Sequence, residues 1–165
     1  MTTNRQPTAA ELWFRRGLEL AQSGNYDAAL EPLEQALAYT VDEPEAAFGR
    51  LLRSYYGLTV ALSRGDVLRG RRLCEEAIAG GPVRSDLYVN LARVYLRAAR
   101  RNLAIEALVT ALSVAPNDRD AWTLMAQLGL RRPPVVSFLS RGNPINRYLG
   151  LARHRLLGST PAPLA

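Results

Sequence analysis

Apolar and small residues recur along most of this chain at helical spacing, in paired blocks separated by short polar breaks. Leu12, Trp13, Gly17, Leu20 and Ala21 mark one face of a first helix. Ser23-Gly24-Asn25 interrupts it, because glycine ends a helix at little steric cost and asparagine caps the next one. Tyr26, Ala29, Leu30, Leu33, Ala36 and Leu37 then mark a second helix. Pro32 stands well inside that block, where a missing N–H and a ring clash should cost about 3 kcal/mol. The pattern therefore predicts a bend at Pro32 or a second helix that starts late.

The same alternation returns downstream. Asp42-Glu43-Pro44-Glu45 reads as a helix start, with acids at the positive end and proline in the first turn, and predicts one long helix from Pro44 to Ser63. Gly65-Asp66, Gly70, Cys74, Ala77 and Pro82 repeat the second-helix pattern. Counting back from Ala77 puts Leu58 where a small residue belongs, with Gly57 one position off. The third block is the cleanest. Ser85 is the expected N-cap, and Tyr88, Ala92, Tyr95, Ala99, Ala104, Leu108 and Ala111 match Trp13, Gly17, Leu20, Gly24, Ala29, Leu33 and Ala36 in kind. A turn at Ala99-Arg100 replaces the glycine, Arg101 takes the place of Tyr26, and Pro116 closes the block. A further block opens at Arg119 with Trp122 and Ala126 and is predicted to stop at Pro133-Pro134.

An aromatic, a small residue four later, small residues at the helix crossing and a closing proline, at a period of about thirty-four residues, resemble the tetratricopeptide repeat (TPR). The resemblance covers Ala10 to Arg132 and is similar to short bacterial arrays that carry a basic tail. It implies an all-α, right-handed α-solenoid of three and a half helix pairs with a concave groove, followed by a C-terminal amphipathic helix. The expected organisation is a flexible stretch over 1–8, the array over 9–132, an extended segment over 133–143, a basic helix over 144–158 packed on the array, and a frayed end over 159–165. Asn143-Pro144 starts that last helix, Ile145, Tyr148, Leu149, Ala152 and Leu156 give it an apolar face, and Gly158 ends it.

Charge sharpens the division. Residues 1–120 hold 15 arginines and 15 acids, so the net charge of +6 belongs to residues 121–165. There Arg131, Arg132, Arg141, Arg147, Arg153 and Arg155 stand with no acid. Such asymmetry predicts an acidic partner or an acidic surface. The chain holds no lysine, which reads as genome composition rather than function. The polar N-terminus and the lack of a long apolar run predict a soluble, cytoplasmic protein.

Chemistry is hard to find in these residues. Cys74 is the one cysteine, so no intramolecular disulfide or cysteine metal cluster is available, and its place on the core face reads as a small hydrophobe. His154 is the one histidine and reads as a solvated surface residue. The carboxylates show no metal spacing, and no glycine-rich phosphate loop occurs. The expectation is a non-enzyme without metal or cofactor.

The resemblance implies that the first helix of each pair lines the groove at its second, fifth, ninth, twelfth and thirteenth positions. These are Glu11, Phe14, Leu18, Ala21 and Gln22, then Leu52, Tyr55, Thr59, Leu62 and Ser63. They continue as Asp86, Val89, Arg93, Leu96 and Arg97, then Asp120, Thr123, Gln127, Leu130 and Arg131. The groove is thus expected to be apolar at its N-terminal end and arginine-bearing at its C-terminal end. Chaperone-binding TPR proteins hold a C-terminal carboxylate with lysine, asparagine and arginine. Here Phe14 and Leu18 take the first places and Asn90 alone matches in type, which argues against that activity.

The function this implies is a scaffold that binds a peptide or helix of a partner protein, with Arg93, Arg97 and Arg131 reading its acidic groups. One alternative makes the basic tail, with Arg141, Arg147, Arg153 and Arg155, an effector for an anionic membrane surface or nucleic acid. The lack of aromatic–basic interleaving argues against nucleic acid. Another alternative docks the tail in its own groove as an autoinhibitory segment.

Overall fold

Thr8 caps the first helix. Its hydroxyl accepts the Glu11 N–H at 3.2 Å while the Glu11 carboxylate accepts the Thr8 N–H at 2.7 Å. This capping box satisfies two donors that a bare helix end leaves open and stabilises it by about 1 kcal/mol. The computed structural model describes residues 7–40 and 47–129. Thr8 therefore belongs to a helix cap, although it closes the stretch expected to be flexible. Among the described residues the chain forms seven α-helices and no strand: α1 Ala9–Gln22, α2 Tyr26–Ala38, α3 Ala47–Ser63, α4 Val67–Ala79, α5 Ser85–Arg97, α6 Arg101–Val114 and α7 Arg119–Gln127.

The helices pack as consecutive antiparallel-type pairs, α1 on α2, α3 on α4 and α5 on α6, and each second helix also meets the next first helix. This is the all-α solenoid that the periodicity predicts. Three apolar clusters follow one another along it. The first joins Phe14, Leu33 and Leu52, the next Leu58, Cys74 and Val94, and the last Val89, Leu108 and Ala121.

The turns follow their residues. Gly24 at φ +81° and Gly65 at φ +70° occupy the left-handed conformation that lets each pair reverse. Asn25 then caps α2 through the Ala28 N–H, and Asp66 caps α4 through the Arg69 N–H. In the third pair Ala99 takes the glycine's place at φ +57°, a conformation that costs an L-residue about 1–2 kcal/mol.

Four expectations are corrected. The second helix does not start late: α2 runs unbroken from Tyr26 through Pro32. Pro32 is itself buried beside the fully enclosed Ala29, Leu33 and Ala36, and burial of one Leu side chain alone offsets about 2–3 kcal/mol. Ser85 is not a cap. Arg84 holds that position without a side-chain bond, and the Ser85 hydroxyl donates instead to Asp118. The last described helix ends at Gln127, ahead of the prolines, with Gly129 at φ +72° just beyond it.

The fourth correction is register. A Cβ on Gly57 would lie 2.8 Å from the Gly70 carbonyl oxygen, and one on Gly70 would lie 2.5 Å from that of Gly57. Gly57, not Leu58, is therefore the small residue at the α3–α4 crossing, as Gly17 is against Leu33 in the first pair. The expected start of α3 at Pro44 lies outside the described residues.

Candidate partner groove

The first helices α1, α3 and α5 lie side by side, and their shared face offers two recesses of different character. At the N-terminal end an open cleft of about 460 Å³ is lined by Pro7, Glu11, Phe14, Arg15, Leu18 and Phe48. Its floor is aromatic. Phe14 meets Phe48 edge-on at 5.3 Å and Tyr55 at 6.0 Å between ring centroids, geometry that aligns positive ring edges with negative faces. Phe14 is buried at its base, while Leu18 and Phe48 remain half-exposed.

Further along, a smaller recess of about 180 Å³ is lined by Tyr55, Asp86, Val89, Asn90, Asp118 and Asp120. Its carboxylates are already in use. Asp86 receives Arg84 through two bonds of 2.6 and 3.1 Å, and Asp120 receives Arg93 at 2.9 Å. Asp118 caps α7 through the Ala121 N–H at 3.0 Å and also accepts Ser85. Burial raises the Tyr55 phenol above its usual pKa, the Asp86 charge adds to the rise, and Arg93 opposes it.

The expected groove residues divide between these places. Phe14 and Leu18 share the apolar cleft, and Tyr55 and Asn90 share the polar recess. Thr59 reaches neither, because α3 is packed between α1, α4 and α5 and the residue is fully enclosed there. Asn90 is buried to 1% exposure, with its amide N–H donating to Ser54 Oγ at 3.2 Å. Arg93 is tied to Asp120 and so is not the free cation expected of it. Arg97 is exposed at the end of α5, and Gln127 is exposed at the end of α7. Arg131, Arg141, Arg147, Arg153 and Arg155, with His154, lie outside the described residues.

Four lining residues escaped the sequence reading: Pro7, Arg15 and Phe48 in the cleft and Asp118 in the recess. Phe48 sits in the extra first turn of α3, which a strict repeat count leaves out. Asp118 reads only as a helix cap, although the bend of the α6–α7 connection also brings it to the recess. Cys74 falls as expected. It is fully buried, its thiol donates to the Ser54 carbonyl at 3.5 Å, and burial pushes its pKa up to about 12, so it is no thiolate nucleophile. Among the described residues no group of His, Cys, Asp and Glu is placed to hold a metal ion. No helix among them is long and apolar enough to cross a membrane.

Two tetratricopeptide repeat family models match the chain, one over residues 10–40 and one over residues 61–128. The interval between them contains most of α3, the helix whose register and length depart from the repeat. No curated protein matches the chain.

Proposed function

The chain belongs to the tetratricopeptide repeat proteins, whose repeats generally mediate protein–protein interactions, and from that premise we propose a non-enzymatic scaffold that binds a partner protein along α1, α3 and α5. The partner segment is a peptide or helix that places an apolar side chain in the Phe14–Leu18–Phe48 cleft. The observation that carries this reading is the cleft itself, an aromatic floor left open beside polar rims from Glu11 and Arg15. Apolar area of this kind supplies binding energy when covered, and groove recognition by side-chain anchors is how helical scaffolds read peptides.

The acidic character first expected of the partner keeps less support, since Arg93 is neutralised by Asp120 and Arg97 is the one expected arginine exposed among the described residues. The apolar cleft is therefore the primary anchor.

The test compares two full-length baits. Leu18→Glu puts a charge in the cleft, while Leu68→Glu puts one on α4, where Leu68 is 75% exposed and lines no recess described above. The expected result is loss of co-purifying protein with Leu18→Glu alone, at unchanged helical circular dichroism. Equal capture by both baits would remove the cleft from the binding surface.

A further inference from the structure

The polar recess is short of donors. Asp86, Asp118 and Asp120 bring three carboxylates to it, and Arg84 and Arg93 return two guanidinium groups. Among the described residues one negative charge is left over. An ionised carboxylate offers about four lone-pair positions, so each of the three retains acceptor capacity beyond the bonds it already makes.

Asn90 adds a second and independent observation. Its side chain is 1% exposed and lines the recess, and its Nδ2 is engaged with Ser54. Its Oδ1 is buried with no hydrogen-bond partner. A buried acceptor left without a donor carries the desolvation penalty of that group uncompensated. Buried side chains of this kind are normally satisfied, so an open acceptor at a recess calls for a donor.

From this juxtaposition we propose that the recess takes an arginine side chain of the partner protein, deepening the groove reading above and resting on it. The guanidinium enters between Tyr55 and Asn90, donates to Asn90 Oδ1, and shares the remaining lone pairs of Asp86 and Asp120. A guanidinium suits the recess better than an ammonium. The acceptors come from α5, from α7 and from the cap ahead of α7, and only a planar five-donor group reaches several directions at once. Tyr55 supplies an aromatic surface on which such a plane can stack. Burial is the main cause of the raised Tyr55 phenol, and the Asp86 charge adds to it.

The partner thus carries an apolar anchor for the Phe14–Leu18 cleft and an arginine for the recess. This reverses the sign expected for the partner from the sequence. Arg84, at the cap of α5, and Arg93, within α5, are spent on Asp86 and Asp120, and what the recess still lacks among the described residues is positive charge.

The test uses the full-length chain labelled with ¹⁵N and three small probes, N-acetyl-arginine methylamide, its lysine counterpart, and the uncharged isostere N-acetyl-citrulline methylamide. The arginine probe is expected to shift the Asn90 side-chain amide and the backbone amides of Asp86 and Asp120 in a saturable way. The lysine probe should act several-fold more weakly, and citrulline should leave these signals in place.

Asp120→Asn is the first variant. Its side chain is 65% exposed, so the fold is retained, and the arginine response should fall several-fold. Asn90→Leu removes the open acceptor and should abolish the shift at Asp86. Equal responses to arginine and citrulline, shifts spread over acids elsewhere, no response, or a response indifferent to Asp120→Asn would each overturn the proposal. None of these results bears on the Leu18→Glu comparison, so failure here leaves the apolar cleft standing.

Discussion

The two recesses of the shared face use the same kind of helix position and satisfy their groups to different degrees. At the N-terminal end Phe14 meets Phe48 and Tyr55 edge to face, and what stays open is a cleft with an aromatic floor and polar rims. At the other end every carboxylate has a partner, yet Asn90 Oδ1 has none. The repeat dictates where side chains stand. It does not dictate what they need. Recognition is written in the groups that packing leaves incomplete, and those differ between two helices built on one pattern.

The α3–α4 pair joins the two ends, so its crossing should govern both. Gly70→Ala would drive a Cβ to 2.5 Å from the Gly57 carbonyl oxygen and 2.6 Å from the Ala61 Cβ, and backbone cannot step aside as a side chain can. Alanine gains about 1 kcal/mol of helix propensity, and overpacking of this severity costs up to about 3 kcal/mol. A net loss near 2 kcal/mol is expected in urea unfolding, with the Phe14 cleft and the Asn90 recess losing protection together. Stability equal to the parent would show that the crossing relaxes and that the two ends are not coupled through it.

Asp118→Ala separates the ends. It removes the α7 cap and the Ser85 contact, a loss of about 1–2 kcal/mol confined to the polar recess. Hydrogen exchange should quicken in α7 and the start of α5 while α1 and α2 keep their protection. Faster exchange throughout would mean that the array unfolds only as a whole.

The sequence made the repeat legible because its information is local. Gly24, Asn25, Gly65 and Asp66 are turn residues whose roles follow from backbone geometry, and each does what its chemistry suggests. Thr8 and Glu11 carry an equally local capping-box spacing that was open to reading. Pro32 did not delay the start of α2, because tertiary burial outweighed a local penalty. The one-residue slip in α3 was hidden for the same reason. Leu58 and Gly57 are adjacent in sequence, and only the approach of Gly70 tells which one faces the crossing. The site was legible to the extent that it is helix position, as with Phe14, Leu18 and Tyr55. It was illegible wherever it depends on pairing: nothing in the spacing says that Arg93 meets Asp120 across two helices, so a neutralised arginine was read as a free one.

Ala99 offers a smaller effect in the opposite direction. Its φ of +57° is the conformation glycine adopts freely, so Ala99→Gly should raise stability by about 1 kcal/mol. The gain should appear in α5 and α6, beside the polar recess. No gain in thermal unfolding would mean that the unfolded chain's added freedom cancels the relief.

Tyr55 gives the finest probe, because it touches both ends: its ring meets Phe14 and its surroundings include Asp86 and Asp120. Burial first, and the Asp86 charge second, raise its pKa above the unfolded value of about 10. The folded protein therefore holds the phenol proton more tightly than the unfolded chain does. The stability linked to it is complete below the unfolded pKa and is lost as pH rises through the folded one. Tyr56, Tyr95 and Cys74 are raised as well, each mainly by burial, so alkaline destabilisation is shared among three phenols and one thiol. Tyr55→Phe should flatten the fall of urea-unfolding stability above about pH 10 without abolishing it. If the parent and Tyr55→Phe lose stability with the same slope, the phenol is solvated in the folded chain, and the two ends of the groove do not close over it.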